Sequence, residues 1–254
     1  MIIKESVSIA TRDDEVILHI YLPNDYETSG IAYQVLYMYD GHNLFDDHDA
    51  TYGKSWGLAD YLENHNIPII IVGIECDHIG MNRICEYSPY SFTANYLGSI
   101  NGYGTLFMDW LVNELKPYID DNLRTLPDRL HTGIGGSSMG GLMAIYTISN
   151  YNETFSKAAC LSSFLGEVID QLIPDINHDL NSDTQIYLSW GSNEFKNKPR
   201  FVNGTAHNLR VANAFNLHHA QVYCNLVKNG EHREACWEKE VPIFMEYLYG
   251  NKTR

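Results

Sequence analysis

The chain has 254 residues, enough for one large core, and its 44% hydrophobic and 19% charged content is that of a globular protein, not a disordered one. Seventeen Lys and Arg against 32 Asp and Glu leave a net charge of −15, which would repel a phosphate backbone or an anionic bilayer and argues against nucleic acid or membrane as a partner. Cys76, Cys85, Cys160, Cys224 and Cys236 form no CxxC pair and read as reduced thiols packed as small hydrophobes. With no leader visible in Met1-Ile2-Ile3-Lys4-Glu5-Ser6 and no apolar run of membrane-spanning length, a cytoplasmic location is expected.

Taken in chain order, residues 6–10 and 15–22 flank Thr11-Arg12-Asp13-Asp14, whose turn residues predict an antiparallel hairpin at a sheet edge. The apolar runs 34–39, 67–74, 130–134, 158–161, 185–190 and 221–227 follow as core strands. Helices are predicted between them, among them 105–119, with Leu106, Trp110, Leu111, Leu115 and Tyr118 at helical spacing, then 139–149, 201–217 and 234–249. This alternation predicts an α/β fold with a mostly parallel central sheet and helices on both faces. No repeat, low-complexity tract or linker divides the chain, so residues 1–254 read as one domain. Residues 76–104 form the one long irregular stretch, and loops of that length in compact domains tend to border a site.

Gly135-Gly136-Ser137-Ser138-Met139-Gly140-Gly141 contains GxSxG centred on Ser138, with a predicted strand before it and a predicted helix after it. A serine on such a sharp turn is exposed at the strand's end, and side chains two positions to either side would collide with the tightening chain. The turn also places Ser138 at a helix N-terminus, where the free N–H groups favour a developing oxyanion, Met139 supplying one amide donor. Ser137 is offset from the glycines and reads as packing.

A serine needs a hydrogen-bonded base, and in α/β-hydrolases an acid and then a histidine follow the serine along the chain. Of the later histidines, His207, His218 and His219 fall in or beside the predicted helix 201–217 and read as surface or packing residues. His232 instead follows the last strand in Lys228-Asn229-Gly230-Glu231-His232, at the sheet end where open α/β sheets bind ligands. The carboxylate nearest the end of the preceding strand is Glu194, either the orienting acid or, like Asp183 and Glu231, a solvated loop carboxylate.

Asp40-Gly41-His42-Asn43-Leu44-Phe45, the RxxEYSP segment from Arg83 to Pro89, GGSSMGG, WGSNE and Gly230-Glu231-His232-Arg233-Glu234-Ala235-Cys236-Trp237 occur in collinear order over nearly the whole chain. Together they resemble the Putative esterase family of α/β-hydrolases, which includes feruloyl and acetyl xylan esterases, enterobactin-type siderophore esterases, S-formylglutathione hydrolase and mycolyltransferases. The resemblance implies that the amide of His42 is the second oxyanion donor and that the acid can be a glutamate. The His42 side chain either touches substrate or caps its loop.

Arg83 either holds a carboxylate or catecholate oxygen of the substrate or pairs with Glu86. Tyr87, Tyr90, Tyr96 and Tyr103 cluster in the same segment and either line an aromatic cleft or pack beneath the loop. Arg83 and Tyr103 are the candidate substrate contacts. The carboxylates of Asp46-Asp47-His48-Asp49 are consecutive and cannot all converge on one ion, so neither metal nor cofactor is expected. The expectation is a serine carboxylic ester hydrolase with a Ser138-Glu194-His232 triad, acting on a small-molecule or carbohydrate ester such as a feruloyl or acetyl sugar or a siderophore lactone. The alternatives are an acyltransferase of the mycolyltransferase type and a non-catalytic binding protein on the same fold. No heptad or interface stripe fixes an oligomeric state.

Overall fold

Every residue of the run Ile69–Ile74 is buried, as expected of a strand covered on both faces. Its side chains alternate between two cores, with Ile70, Val72 and Ile74 on one side of the sheet and Ile69 and Ile71 on the other. The computed structural model describes residues 1–9, 11 and 14–250. The strands are β1 (Ile2–Ile9), β2 (Asp14–Tyr21), β3 (Gln34–Tyr39), β4 (Ile69–Ile74), β5 (Phe92–Ala94), β6 (Gly98–Ile100), β7 (Thr132–Ser137), β8 (Lys157–Leu161), β9 (Gln185–Gly191) and β10 (Gln221–Val227). The helices are α1 (Tyr26–Ser29), α2 (Leu58–His65), α3 (Asn82–Glu86), α4 (Gly104–Trp110), α5 (Lys116–Asn122), α6 (Met139–Asn150), α7 (Ile169–Ile176), α8 (Lys198–Leu217), α9 (Glu234–Trp237) and α10 (Val241–Tyr249).

Eight strands form one sheet in the order β1-β2-β4-β3-β7-β8-β9-β10. β1 and β2 pair antiparallel and β2 pairs antiparallel with β4, while all the remaining pairs are parallel. The expected N-terminal hairpin is therefore present; of its turn residues, Arg12 and Asp13 lie outside the described residues. Helices α2 and α10 cover one face through Leu58, Leu62, Phe244 and Leu248, and the larger core on the other face takes in α4 to α8. This is the α/β-hydrolase architecture. No helix among the described residues is long and apolar enough to cross a membrane.

Several boundaries differ from the sequence reading for local reasons. Strand 130–134 begins at Thr132 and runs on to Ser137, because glycines end the apolar run without ending the strand. The helix expected over 105–119 spans α4 and α5 through a π turn at Leu111–Leu115. Its buried stripe is Phe107, Leu111, Leu115 and Ile119, whereas Leu106 and Tyr118 are exposed; a constant spacing of four drifts around an α-helix, and the wider π turn takes up the drift. A 3₁₀ turn at Glu238–Glu240 breaks the C-terminal helix, and Pro242 opens α10, where its missing N–H costs nothing. β10 is an exposed edge strand rather than a core one. Cys76 and Cys160 are buried as expected, but Cys224 is exposed.

The sheet order places the site. The chain moves outward from β3 to β4 and then returns to add β7 on the opposite side of β3, so the carboxyl ends of β3 and β7 lie side by side where the winding direction reverses. The loops after β3 and β7 carry His42 and Ser138 respectively.

Candidate active site

Ser138 stands between β7 and α6 with φ 58° and ψ −118°, a conformation that costs a non-glycine residue about 1–3 kcal/mol and persists only where the surroundings enforce it. They do so here by close packing. A Cβ on Gly136 would lie 2.9 Å from the Gly140 carbonyl carbon, and one on Gly140 would lie 2.8 Å from Tyr39 Cβ. The Ser138 amide donates to the Leu161 carbonyl (3.0 Å), and its carbonyl accepts from Leu142 (3.0 Å) and Phe164 (3.0 Å). Met139 is the first residue of α6, so its N–H is one of the amides that a helix start leaves without an intrahelical acceptor.

The turn after β3 packs against this elbow. Asp40 takes a left-handed conformation (φ 59°) and its carboxylate receives both Arg83 Nε (2.6 Å) and Arg83 Nη2 (2.7 Å). Complete burial would favour the neutral acid, but the guanidinium holds Asp40 below its ordinary value. Arg83 thus pairs with Asp40 instead of Glu86, while still lining the cleft beside Ser138. The ring of His42 turns out of that cleft: its Nε2 meets Thr51 Oγ1 at 2.9 Å.

His232 and Glu194 come from the loops after β10 and β9. These loops press together where a Cβ on Gly191 would lie 2.3 Å from the Gly230 carbonyl oxygen. The Asn193 amide donates to that carbonyl (2.8 Å). Glu194 Oε2 lies 3.5 Å from His232 Nδ1, with the carboxylate 8% exposed and the imidazole 43% exposed. The other oxygen, Oε1, accepts from the Gly191 amide (2.6 Å) and from Ser162 Oγ (2.6 Å), and Ser162 Oγ in turn accepts from Trp237 Nε1 (2.8 Å). The Trp237 ring also stands edge-on to the His232 imidazole at 5.2 Å. Ser138, Glu194 and His232 line one cleft of about 820 Å³ together with Met139, Ser162 and Arg83. Ser138 and His232 line the same cleft without a hydrogen bond between them.

Other expectations separate. Of the four tyrosines, Tyr96 lines the cleft and donates to Glu167 Oε1 (3.0 Å), whereas Tyr87 is buried under the loop and Tyr90 donates to Asp175 (2.5 Å). Tyr103 stands outside the described lining, its carbonyl accepting from Leu106 at the start of α4. The carboxylates of the acidic loop face different partners: Asp46 the His48 amide, Asp47 Ser55 and Asp49 Lys4.

Among the residues of the site that the sequence reading passed over are Ser162, Trp237 and His207. Ser162 directly follows a core strand, a position from which it could have been noticed, and Trp237 closes the GEHREACW segment. His207, read as a surface or packing residue, lines the cleft from α8. Burial, and then the neighbouring Arg210, lower its pKa.

The family model described as Putative esterase matches residues 9–245. The chain belongs to this esterase family. It is 23% identical over 239 residues to the Bacillus subtilis protein YbbA, covering 91% of each chain. Among solved structures it is similar to an IroE-like serine hydrolase from Shewanella oneidensis, with a TM-score of 0.77 and 20% identity over 98% of this chain and 80% of that one. It is also similar to the feruloyl esterase module from Clostridium thermocellum complexed with sinapinate, with a TM-score of 0.67 and 15% identity over 100% and 90% of the two chains. Identities this low speak for the shared fold, and membership in the family makes this esterase-family chain a hydrolase by kinship.

Proposed function

We propose that this protein is a serine esterase that forms an acyl-enzyme on Ser138. Ser138 Oγ bonds to the ester carbonyl carbon while His232 takes the hydroxyl proton, and Glu194 offsets the charge that the imidazole gains. The amides of Met139 and His42 receive the oxyanion. As the tetrahedral adduct collapses, the bond to the alcohol oxygen breaks and the alcohol leaves with the proton from His232. Water, deprotonated by the same imidazole, then attacks the acyl-enzyme and releases the acid. The observation that carries this reading is the convergence in one cleft of a strained serine elbow and a histidine–glutamate pair from two other strand ends.

The cleft favours an ester of an aromatic acid, of feruloyl or catecholate type, joined to a sugar or siderophore alcohol. Phe164, Trp190, Phe195 and Tyr96 offer aromatic walls, and Lys196 and Arg200 offer cations for phenolic or carboxylate oxygens. The sinapinate in the Clostridium thermocellum module is an aromatic acid of this kind. The test is to assay methyl ferulate, a catechol-carboxylate ester and an acetyl ester side by side. The aromatic acyl esters should have the higher kcat/KM, and Ser138→Ala should lose on the order of 10⁴ to 10⁶ in turnover. A fluorophosphonate probe should label Ser138. Near wild-type hydrolysis by Ser138→Ala would refute the mechanism, and preference for the acetyl ester would refute the substrate class.

A further inference from the structure

Behind the oxyanion turn, on the side away from the cleft, side chains from β2, the loop after β3 and the loop after β4 meet around a second cavity of about 410 Å³. It is lined by His19, His42, Thr51, Glu75 and His78 among others. One ring nitrogen from each of His42 and His78 and the sulfur of Cys76 all lie within 4.8 Å of one another. Glu75, Cys76 and His78 are neighbours in the chain, and His42 is brought to them by the pairing of β3 with β4. Sequence spacing alone could not have joined the three.

Hydrogen bonding prepares the two imidazoles for the same task. His78 Nε2 lies 2.9 Å from Glu75 Oε1. A carboxylate only accepts, so Nε2 donates, and in the neutral imidazole Nδ1 keeps its lone pair; Nδ1 faces Cys76 Sγ at 3.9 Å. This carboxylate–histidine arrangement is the one that orients imidazoles toward metals. His42 Nε2 is engaged by Thr51 Oγ1 at 2.9 Å, while His42 Nδ1 is buried without a hydrogen-bond partner. His42 is 5% exposed and Cys76 3%, so that nitrogen is a desolvated group that packing alone leaves unsatisfied. The two rings stand edge to face, with centroids 4.7 Å apart.

We propose that His42 Nδ1, His78 Nδ1 and Cys76 Sγ form a binding site for a divalent transition-metal ion of the zinc class, with its remaining position open to the cavity. Two imidazoles and a thiolate suit zinc or cobalt and disfavour calcium or magnesium, which take oxygen ligands. Tetrahedral coordination at ordinary zinc distances sets these donors about 3.3–3.6 Å apart, so a contraction of about 1 Å completes the site. His78 is exposed and can supply that movement. Binding exchanges the Cys76 S–H bond for a sulfur–metal bond and releases one proton to solvent. Asp40, toward which the thiol hydrogen bond is directed, keeps its two bonds from Arg83.

The test uses the full chain, stripped with a chelator and titrated with cobalt(II). One equivalent should bind and give a thiolate-to-cobalt charge-transfer band in the near ultraviolet with visible bands of tetrahedral intensity, and zinc should displace it. Cys76→Ser should abolish the charge-transfer band. His78→Ala, at an exposed position where loss of fold is not expected, should weaken binding at least tenfold, and Glu75→Gln should weaken it about 10- to 100-fold. Circular dichroism on each variant separates loss of the site from loss of fold. A cobalt spectrum without the thiolate band, or unchanged binding in His78→Ala, would overturn the proposal and mark the ion as held adventitiously by other histidines.

Discussion

The proposed nucleophile and its proposed base are built in contrasting ways. Ser138 sits at the centre of the sheet, beside β3 where the winding direction reverses, in a backbone conformation imposed by contacts between Gly136 and Gly140 and between Gly140 and Tyr39. His232 instead hangs from the loop after an edge strand, 43% exposed, with its position set by a 3.5 Å approach to Glu194 and edge-on contact with Trp237. The centre of the sheet stores strain because packed elements on both sides resist relaxation. The edge cannot, so its geometry depends on a hydrogen-bond chain from Trp237 through Ser162 to Glu194. An attack angle has to be held rigidly, whereas a base has to swing between serine, leaving group and water.

The largest effect tests whether the two ends act as one unit. His232→Ala should cost on the order of 10⁴ to 10⁶ in kcat, about the same as Ser138→Ala, and the double variant should be hardly worse than either. Losses that multiply in the double variant would show that Ser138 and His232 act independently.

Paired glycine substitutions separate the rigidity of the two ends. At the rigid end, Gly140→Ala forces a Cβ to 2.8 Å from Tyr39 and should cost about 1–3 kcal/mol of stability, seen as a fall of several degrees in Tm. At the other end, Gly191→Ala brings a Cβ to 2.3 Å from the Gly230 backbone carbonyl, a clash relieved only if the loops after β9 and β10 move apart. With that movement Tm should fall less than in Gly140→Ala, while kcat falls roughly 10²-fold, because the displacement separates Glu194 from His232. If both variants lose stability equally, the edge is as rigid as the centre.

Ser162→Ala removes one hydrogen bond to an ionised carboxylate, worth about 1.5–3 kcal/mol, so kcat should drop roughly 10- to 100-fold with KM nearly unchanged. An equal rise in KM would mean that Ser162 contacts substrate instead of positioning Glu194.

The smallest effect concerns stability beneath the edge. Glu240 is buried and accepts from Tyr187 Oη at 2.7 Å, and burial raises its pKa above the ordinary 4.5. Folding therefore favours the protonated acid; that contribution is fully present below pH 4.5 and is lost as pH rises through the raised folded value. Glu240→Gln carries no buried charge, so its Tm relative to wild type should climb across that window. A difference that stays flat with pH would show that Glu240 is not the titrating group.

Much of the fold was legible because its signals are local. The apolar runs that became β3, β4, β8 and β9 needed only burial on both faces, and GxSxG before a helix placed Ser138 by backbone sterics. Where one short-range rule competed with another, boundaries slipped: glycines hid the end of β7, and a π turn shifted the stripe of α4 and α5.

The layered α/β class, the elbow, the family resemblance and the order of the candidate triad residues are legible in the chain alone. It takes the folded chain to show that Arg83 grips Asp40, that Ser162 and Trp237 stand behind Glu194, that His207 enters the cleft, and that His42 faces Cys76 and His78. The reason is physical. Periodicity and turn chemistry act over a few residues, whereas these contacts join side chains far apart in the chain whose meeting depends on strand order and on the way loops pack at the carboxyl end of the sheet.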